Sequence, residues 1–413
     1  MVCEQEDVIL ILTLSLAVKV KTSQCKKKKQ RKRFWVRPWL LDRQTKGACN
    51  SILSELRLQD TEHFRYYLRM NTETFVELLE KVRPYITKQT TSCRKPISAE
   101  EKLSVTLRFL ATGESYQSLM YQFRMSDKTI SLFVPIVARA IYRVLKKDYL
   151  RLPQTEEEWK ALSDKINLKW RFPNCIGALD GKHIPIKLMP NTGSTFYSYK
   201  GFHNAGCQGR ISDGGVLRNR ELYHLLNNHR LALPPPKQLP LSEDPAWDQL
   251  DLPEIPYVIV GDDAFALSKN LLKPFSKNTL CDAERIFNYR LSRFRKISEN
   301  AFGILSARFR IINSTINLSP SKTTSLVMAI VALHNMLMTK SKDSYAPVGL
   351  VDQEDLLTNR IVPGQWRGMA DVSNDLQTCA QRKASSNAKE IRCVFKDYFM
   401  GSGQVSWQWN MLV

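Results

Sequence analysis

The chain has 413 residues, of which 43% are hydrophobic, so it can bury at least one full core, and its length suggests two or three domains. Lysine and arginine number 61 against 40 aspartates and glutamates, which gives a net charge of +21. This excess favours a polyanionic partner, duplex DNA first, because neutralising phosphates releases counterions. The nine cysteines are an odd count without a C-x-x-C pair, which argues against a disulfide scaffold or a zinc site and indicates a reducing compartment.

An apolar stretch near the N-terminus, residues 8–18, is too short to cross a bilayer. Glu4, Glu6 and Asp7 precede it, where a signal peptide would carry positive charge. We therefore expect no membrane association, and we interpret the stretch as a short helix or as noise in the gene model. A secretory signal is the alternative.

A basic run follows at residues 26–33, KKKKQRKR, with seven positive charges in eight positions. Such runs are typical of nuclear localisation signals and of arms that bind phosphates, although a solvated run without function has the same composition. We predict that residues 1–45 form a basic N-terminal arm. We also predict that the protein is nuclear, with the cytoplasm as a second compartment.

Residues 46–165 are predicted to be a helical region. Between residues 56 and 82, apolar side chains recur at helical spacing, which predicts helix faces that turn toward a core. The predicted core positions are Leu56, Phe64, Leu68, Phe75, Leu78, Leu79 and Val82.

Three further helices, separated by short turns, are predicted in the same region. Ser98 and Glu101 form a capping-box pattern at the start of the first, and Gly113 is placed to end it. The segment YQSLMYQF predicts the second helix, and Ser126 is expected to cap the third. Helix, short turn, helix is the arrangement of a helix-turn-helix unit.

A helix-turn-helix unit places the first turn of its recognition helix against DNA bases or phosphates. In this chain that turn contains Lys128, and Arg124 just before it is a candidate phosphate contact. Plain packing of helices gives the same spacing. DNA recognition and simple helix packing therefore both remain open interpretations.

The first of four carboxylates with a distinctive context is Asp180, in the segment CIGALDGKHIPIK. Small and branched residues precede it as in a β-strand, Gly181 leaves room for a ligand, and apolar strand character resumes at residues 184–186. An Asp-Gly pair is also a common turn signal, so a turn without function is the alternative. His183 is a candidate phosphate contact or a structural histidine.

A second carboxylate, Asp262, follows the buried-strand pattern YVIV at residues 257–260 and falls at the carboxyl end of that predicted strand. Asp263 is its rival at the same corner, with a helix cap as the other role open to it. The third, Asp213, precedes two glycines, and by pattern alone it is a turn residue.

The fourth carboxylate, Glu299, lies in a long arginine-rich helix. Glu299 could form a surface ion pair with a neighbouring arginine. Alternatively, it could be a metal ligand beside arginines that bind DNA. The apolar stripe of this helix is expected at Phe294, Ile297, Ala301, Ile304 and Leu305, so Glu299 should point away from that stripe. The candidate DNA-binding arginines are Arg293, Arg295, Arg308 and Arg310.

Carboxylates that folding gathers from strand ends and a helix suit Mg²⁺ or Mn²⁺, because hard divalent cations prefer oxygen ligands. Two such ions can clamp the attacking and leaving oxygens of a phosphodiester displacement. Read in order, the blocks resemble the DDE-type nuclease domain of the Harbinger (PIF) transposases and of the host nuclease-like proteins derived from them. The resemblance extends over residues 33–409.

This resemblance implies an α/β fold in which an RNase H-like DDE nuclease domain spans residues 166–340. An all-α, helix-turn-helix-like region precedes that domain, and a C-terminal tail with a short helix follows it at residues 341–413. The resemblance also implies a separate Myb/SANT-like partner protein that supplies site recognition and nuclear import.

The activity that the resemblance implies is divalent-metal-dependent cleavage of DNA phosphodiesters, by hydrolysis or strand transfer. Asp180, Asp262 and Glu299 would be the catalytic metal ligands, with Asp213 as a further ligand. Water would be the nucleophile in hydrolysis.

The resemblance fails at one place. In the relatives, two further strands follow the block that matches FYSYKGFHN, whereas here Asn204 runs almost directly into Gly206. A segment about as long as a β-hairpin of typical strands is missing beside the strand that carries Asp180, so we expect a truncated sheet. Either the gene model omits a segment, or this is a decaying copy that binds DNA without cleaving it. Residues 229–256, rich in proline, are predicted to be an inserted polar loop.

Overall fold

A computed structural model describes most of the chain. The described residues are 36–89, 96–187, 226, 231–241, 253–276, 279–355, 360–368 and 385–411. The apolar stretch at 8–18, the basic run at 26–33, Asp213 and the shortened stretch around Asn204 therefore lie outside them. None of the described helices is both long and apolar enough to span a membrane.

The first part of the described chain is helical, as its apolar spacing predicts. Its helices are α1 (Pro38–Leu41), α2 (Arg43–Lys46), α3 (Ile52–Gln59), α4 (Thr61–Leu68), α5 (Thr72–Ile86), α6 (Ala99–Thr112), α7 (Tyr116–Phe123), α8 (Asp127–Tyr149) and α9 (Glu156–Trp170). The predicted core residues of this region are buried, apart from the half-buried Leu56. The prediction of core-facing helix surfaces is thus confirmed.

Local capping explains where several of these helices begin and end. The Ser98 hydroxyl accepts from the N–H of Glu101 at 3.1 Å, and the Glu101 carboxylate accepts from the N–H of Ser98 at 2.9 Å, which confirms the capping box. Gly113 ends α6 with a φ of 71°, which glycine adopts without strain. Ser126 holds the N-cap position of α8, but the predicted side-chain cap is wrong, because its hydroxyl bonds to the Asp127 carboxylate at 3.4 Å.

A small parallel sheet follows the helical region. Its strands are β1 (Cys175–Ala178), β2 (Val258–Val260) and β3 (Leu271–Leu272), in that spatial order. Among the described strands, β1 pairs only with β2. The strand predicted at residues 257–260 is confirmed, whereas the predicted return to strand at 184–186 is wrong. Pro185 lacks the N–H that a ladder needs, so Ile186 makes only an isolated bridge to Ile316.

The rest of the described chain is again mostly helical. Its elements are α10 (Asp282–Arg308), α11 (Pro320–Lys340), α12 (Lys342–Tyr345), the antiparallel pair β4 (Gln353–Asp355) and β5 (Arg360–Val362), and α13 (Ser386–Met400). Three 3₁₀ turns complete them, at Arg310–Asn313, Gln365–Gly368 and Ser406–Met411. The apolar run MAIVALHNML at residues 328–337, a pattern that favours a closing helix, lies within α11.

Helix α10 joins two hydrophobic cores. Residues of its first half, such as Phe287, pack with the sheet and α13, whereas Ile304 and Leu305 near its end pack with the N-terminal helices and α11. Between them, Ile297 is 38% exposed. The predicted continuous stripe is therefore wrong at Ile297, because the helix faces two different cores in succession. Neither core covers the middle of α10, and polar side chains such as Arg295 and Glu299 lie there.

The described part of the predicted 229–256 loop is less polar than its composition suggests. Leu239 is buried, and Lys237 forms an isolated antiparallel bridge with Ile255. Asn174, just before β1, donates its amide to the carbonyl of Lys237 at 2.8 Å. The fold is thus mostly helical, with a small parallel sheet, and to that extent the predicted α/β class with a helical N-terminal region is confirmed.

Candidate active site

The ends of β1 and β2 bring two of the predicted carboxylates to one edge of the sheet. The N–H of Leu179 donates to the carbonyl of Val260 at 2.7 Å, so the two segments stay paired to the point where the strands end. Asp180 and Asp262 each lie two residues beyond the last residue of their strand. Ligand sites of parallel sheets form at this carboxyl edge.

A turn in the local backbone holds each of these carboxylates. The Asp180 Oδ1 accepts from the N–H of Gly181 at 2.9 Å, and the Asp262 Oδ1 accepts from the N–H of Ala264 at 3.0 Å. Aspartate favours such turns because its short side chain reaches nearby backbone N–H groups. The turn and strand-end interpretations of Asp180 are therefore compatible, since the turn is what orients its carboxylate.

Asp263, the rival at the β2 corner, has a different partner. Its carboxylate lies 2.8 Å from the Lys273 ammonium, which also donates to the Asp263 carbonyl at 3.2 Å. In the described chain no helix begins at this corner, so the helix-cap interpretation of Asp263 is wrong. The two adjacent aspartates thus pair with different cations.

A single guanidinium lies against both Asp180 and Asp262. The Nη2 of Arg295, in the middle of α10, is 3.6 Å from the Asp180 Oδ1 and 4.0 Å from the Asp262 Oδ2. The three side chains are only 15%, 10% and 7% exposed, respectively. Two carboxylates in such an enclosed place repel each other unless a cation neutralises them. Arg295 supplies that positive charge.

Charge, more than directed hydrogen bonding, holds Arg295 in place. Both of its distances to the carboxylates exceed the range of about 2.7–3.2 Å for an N–H···O hydrogen bond. Its buried Nε has no hydrogen-bond partner among the described residues. A competing cation can therefore displace this guanidinium without breaking a short hydrogen bond to either carboxylate.

Glu299 lies one helical turn after Arg295, and residues four apart share a face of a helix. It is half-buried, and its charge contributes to raising the pKa of Arg367, which is raised chiefly by a hydrogen bond to Asp352. Among the residues that the structure describes, no three His, Cys, Asp or Glu side chains are grouped so that they could hold a metal ion together. Of the three predicted carboxylates that the structure describes, Asp180 and Asp262 lie together at one guanidinium, and Asp213 lies outside the described residues.

The chemistry of this pair fits a divalent cation. Two enclosed carboxylates that already share one positive group are oxygen donors of the kind that Mg²⁺ and Mn²⁺ prefer. Asp180 and Asp262 would hold such an ion. The sequence did not predict that Arg295 lies beside the two carboxylates, a position that only the fold gives it. Its predicted contact with DNA stays a prediction.

Two other arginines of α10 lie in the core rather than at the carboxylates. Arg293 is buried, with the Trp407 ring 4.2 Å and the Trp170 ring 5.5 Å from its guanidinium carbon. Arg290 donates to the Gln408 amide oxygen at 3.0 Å and to the carbonyl of Arg171. Burial lowers the pKa of Arg290 to about 10. The C-terminal segment thus anchors this helix, a role that sequence reasoning missed.

The remaining predicted DNA contacts lie elsewhere. Arg308 donates from Nε to the carbonyl of Tyr345 at 2.6 Å. Arg124 donates to the carbonyl of Trp39 at 2.7 Å, and its guanidinium lies 4.0 Å from the Asp42 carboxylate. Lys128 is exposed on the first turn of α8. Their contacts with DNA stay predictions.

The closing helix α11 uses two polar residues for packing. The buried His334 places Nδ1 3.0 Å from the hydroxyl of Tyr345, and burial lowers the pKa of His334 to about 4. Asn335 donates to the carbonyl of Tyr149 at 2.7 Å, which ties α11 to the end of α8. His183 lies in the described loop after Asp180.

Two protein families match parts of the chain. Residues 202–335 match the DDE superfamily endonuclease family, a range that includes Asp213, Asp262 and Glu299 and begins after Asp180. Residues 46–143, which contain α3 to most of α8, match a domain family of unknown function, DUF8040. No solved structure matches the chain.

Several proteins are similar over most of their length. The protein named "Protein ALP1-like" of Arabidopsis thaliana is 26% identical over 326 residues, covering 72% of this chain and 76% of that protein. "Putative nuclease HARBI1" of Bos taurus is 23% identical over 279 residues, covering 63% and 76%, and its Homo sapiens counterpart is 22% identical over 267 residues, covering 61% and 72%. The chain therefore contains a DDE superfamily endonuclease domain and is a distant homologue of the Harbinger-derived HARBI1 and ALP1-like proteins.

Proposed function

We propose that the chain is a transposase-derived nuclease that hydrolyses DNA phosphodiesters with divalent metal ions. The observation that carries the proposal is the meeting of Asp180 and Asp262 at the carboxyl edge of two adjacent parallel strands, around one cationic group. The DDE endonuclease family supports the same chemistry. In this proposal the sheet belongs to an RNase H-like domain at residues 166–340.

Asp180 and Asp262 would hold the metal, with Glu299 and Asp213 completing its ligands. When bound, Mg²⁺ or Mn²⁺ lowers the pKa of the attacking water and stabilises charge on the phosphoryl oxygens. The backbone turns at Gly181 and Ala264 keep the two carboxylates aimed at one place. The enclosure of both side chains limits the water around them, which strengthens their attraction for a cation.

DNA binding in this proposal relies on positive charge outside the carboxylate site. The net charge of +21, the basic run at 26–33 and Lys128 at the start of α8 support it. The helices α6, α7 and α8 would form the helix-turn-helix-like unit of the region at residues 46–165. Nuclear localisation and a Myb/SANT-like partner protein belong to the same proposal.

A second candidate is a nuclear DNA-binding protein that does not cleave DNA. One observation favours it: Arg295 already places a positive charge beside the carboxylate pair. The resemblance to the Harbinger family also implies that the chain is shorter than its relatives between Asn204 and Gly206. If strands beside β1 are lost, the strand before Asp180 lacks a hydrogen-bonded neighbour on that side, and the position of the metal ligands is less rigidly fixed. Both candidates predict DNA binding, so cleavage separates them.

The test is cleavage of plasmid DNA by the purified full chain with Mg²⁺ or Mn²⁺. Asp180→Asn, Asp262→Asn and Glu299→Gln should each lower the cleavage rate by about 10³-fold or more, because each removes a charged metal ligand. Asp213→Asn should have a milder effect. Asp263→Asn is the matched control, since Asp263 pairs with Lys273 at the same corner, and it should still cleave.

Cleavage that survives Asp180→Asn in a folded protein would show that the site is assigned wrongly. A wild-type chain that binds DNA but does not cleave it supports the second candidate. In that case a version with the missing strands restored after Asn204 should regain both metal binding and cleavage.

A further inference from the structure

A surface pocket lies where the end of α4 and the start of α5 meet the end of α10 and the start of α12. Arg65, Arg69 and Arg308 line it, and none of its described lining residues is acidic. Three arginine side chains therefore border one small volume, which the proposed metal site does not include. Positive charges that lie close together repel one another, and an anion bound from solution would reduce this repulsion.

Arg69 is the least satisfied of the three arginines. Within the described part of the chain its side chain makes no ion pair, and its buried Nε has no hydrogen-bond partner. Burial, and after it the positive charges of Arg308, Arg310 and Arg108, together lower the pKa of Arg69 to about 10. A buried donor without a partner is rare in native proteins and points to a missing ligand or water.

The other two arginines are fixed in place, and each keeps donors for a ligand. Arg65 donates from Nη1 to the carbonyl of Ser344 at 2.9 Å, and its Nη2 lies 3.3 Å from the Glu62 carboxylate. Arg308 uses Nε to bind the carbonyl of Tyr345 at 2.6 Å. Its terminal nitrogens have no hydrogen-bond partner among the described residues. The chain thus holds the guanidinium groups without neutralising most of their charge.

A hydroxyl adds a neutral donor to the same pocket. The Oγ of Ser341, which lines the pocket, is buried without a hydrogen-bond partner among the described residues. Asn71, another lining residue, is the N-cap of α5, and the start of a helix carries partial positive charge. Guanidinium groups, a hydroxyl and a helix start together are the donors that proteins use for phosphate.

We propose that Arg65, Arg69 and Arg308 form a binding site for a phosphate group. Arginine suits this ligand because its planar fork offers two parallel N–H donors to two phosphate oxygens. The group can come from a nucleic-acid backbone or from free phosphate, since both present the same oxygens. The Ser341 hydroxyl is placed to donate to a third oxygen.

This site is separate from the carboxylate pair. Arg308 follows Arg295 by thirteen positions in α10, which corresponds to about 20 Å along the helix and about 220° around it. The two arginines therefore lie on nearly opposite faces of the helix. Substitutions in the pocket should therefore leave Asp180 and Asp262 undisturbed. A negative result for phosphate binding would not contradict the nuclease proposal, and an absence of DNA cleavage would not contradict the phosphate site.

The test is calorimetric titration of the folded full chain with inorganic phosphate and with pyrophosphate, at an ionic strength matched with sodium chloride. Arg69→Gln should weaken binding by about tenfold or more, because it removes a charge-assisted hydrogen bond. Arg139→Gln is the matched control: it removes the same charge from an exposed position on α8 and should bind as the wild type does. Ser341→Ala, a smaller change, should weaken binding less than Arg69→Gln.

A wild-type chain that gives no signal with either phosphate would overturn the proposal. It would equally be overturned if Arg69→Gln and Ser341→Ala, both folded by circular dichroism, bound phosphate as tightly as Arg139→Gln does. Titration with duplex DNA then identifies the source of the group. A larger loss of DNA affinity in Arg69→Gln than in Arg139→Gln assigns the site to backbone phosphate, and equal DNA affinities assign it to free phosphate.

Discussion

Two arginines of α10, Arg290 and Arg295, are both enclosed but have opposite kinds of partner. The hydrogen-bond partners of Arg290 are neutral: it donates to the Gln408 amide oxygen and to the backbone carbonyls of Gly403 and Arg171. Arg295 faces two carboxylates at distances longer than hydrogen bonds. Neutral partners fix a guanidinium by geometry, whereas charged partners at longer range fix it by attraction. Arg290 is thus a structural residue, and Arg295 belongs to the candidate active site.

Buried arginines cannot contact DNA, so burial decides which positive charges are available for binding. Since Arg290 and Arg293 are buried, they are not available to DNA, and we expect the basic run at 26–33 to be the main source of DNA affinity. Neutralising six or more phosphates predicts that affinity for duplex DNA falls by about 10³-fold between 50 and 200 mM salt. Fluorescence anisotropy at a series of salt concentrations measures this, and a flat response would contradict it.

Changing Lys26 to Lys29 to alanine sharpens the assignment. Binding should weaken equally for different DNA sequences, and the salt dependence should become shallower, because phosphate contacts carry no sequence information. Nuclear accumulation in cells should also fall. An unchanged salt dependence would place the DNA-binding charge elsewhere in the chain.

Arg290→Met should destabilise the fold by about 2–5 kcal/mol, because it leaves buried carbonyls and an amide without their donor. Urea unfolding followed by circular dichroism measures the free energy of unfolding. Arg285→Met is the control on the same helix; Arg285 is exposed, so its loss should cost less than about 0.5 kcal/mol. Equal effects of the two substitutions would show that the C-terminal segment does not anchor α10 through Arg290.

Arg295→Gln should have a smaller effect without metal, a loss of about 1–3 kcal/mol, because two enclosed carboxylates lose their shared cation. Addition of Mn²⁺ should then stabilise the variant more than the wild type, since the ion no longer competes with a guanidinium. Thermal unfolding with and without Mn²⁺ measures both effects. If Mn²⁺ raises the melting temperature of the two proteins equally, Arg295 does not occupy the place of the metal.

Trp407→Ala should destabilise the chain by about 1–2 kcal/mol, because it removes the ring that lies 4.2 Å from the buried Arg293 guanidinium. Trp409→Ala is the matched control in the same turn, and since Trp409 is exposed it should change the free energy of unfolding little. Urea unfolding distinguishes them. A larger effect of Trp409→Ala would mean that another contact anchors the C-terminal turn.

Features that depend on neighbouring residues were predictable from the sequence. The Ser98 capping box, the Gly113 helix end and strand β2 are set within a few residues, and the strand pattern before Asp180 and Asp262 placed both at strand ends. A carboxylate at the end of a parallel strand reaches the same edge as its neighbour wherever the strands lie in the sequence.

The partners of the arginines were not predictable, because they depend on contacts between distant segments. Arg290 and Gln408 are 118 residues apart, and Arg295 meets carboxylates from two separate strand ends. The failed stripe at Ile297 has a related cause: periodicity assumes one core, whereas α10 passes from one core to another. The sequence therefore marked this helix as arginine-rich but could not give the partners of its arginines within the fold.

The central claim is that Asp180 and Asp262 form a divalent-metal site, and calorimetric titration of the full chain with Mn²⁺ tests it most directly. Wild type and Asp263→Asn should bind Mn²⁺, whereas Asp180→Asn and Asp262→Asn should each bind at least about tenfold more weakly, since each loses a charged ligand. Circular dichroism should show that all four proteins are folded. Binding by Asp262→Asn as tight as that of Asp263→Asn, or no binding by the wild type, would contradict the claim.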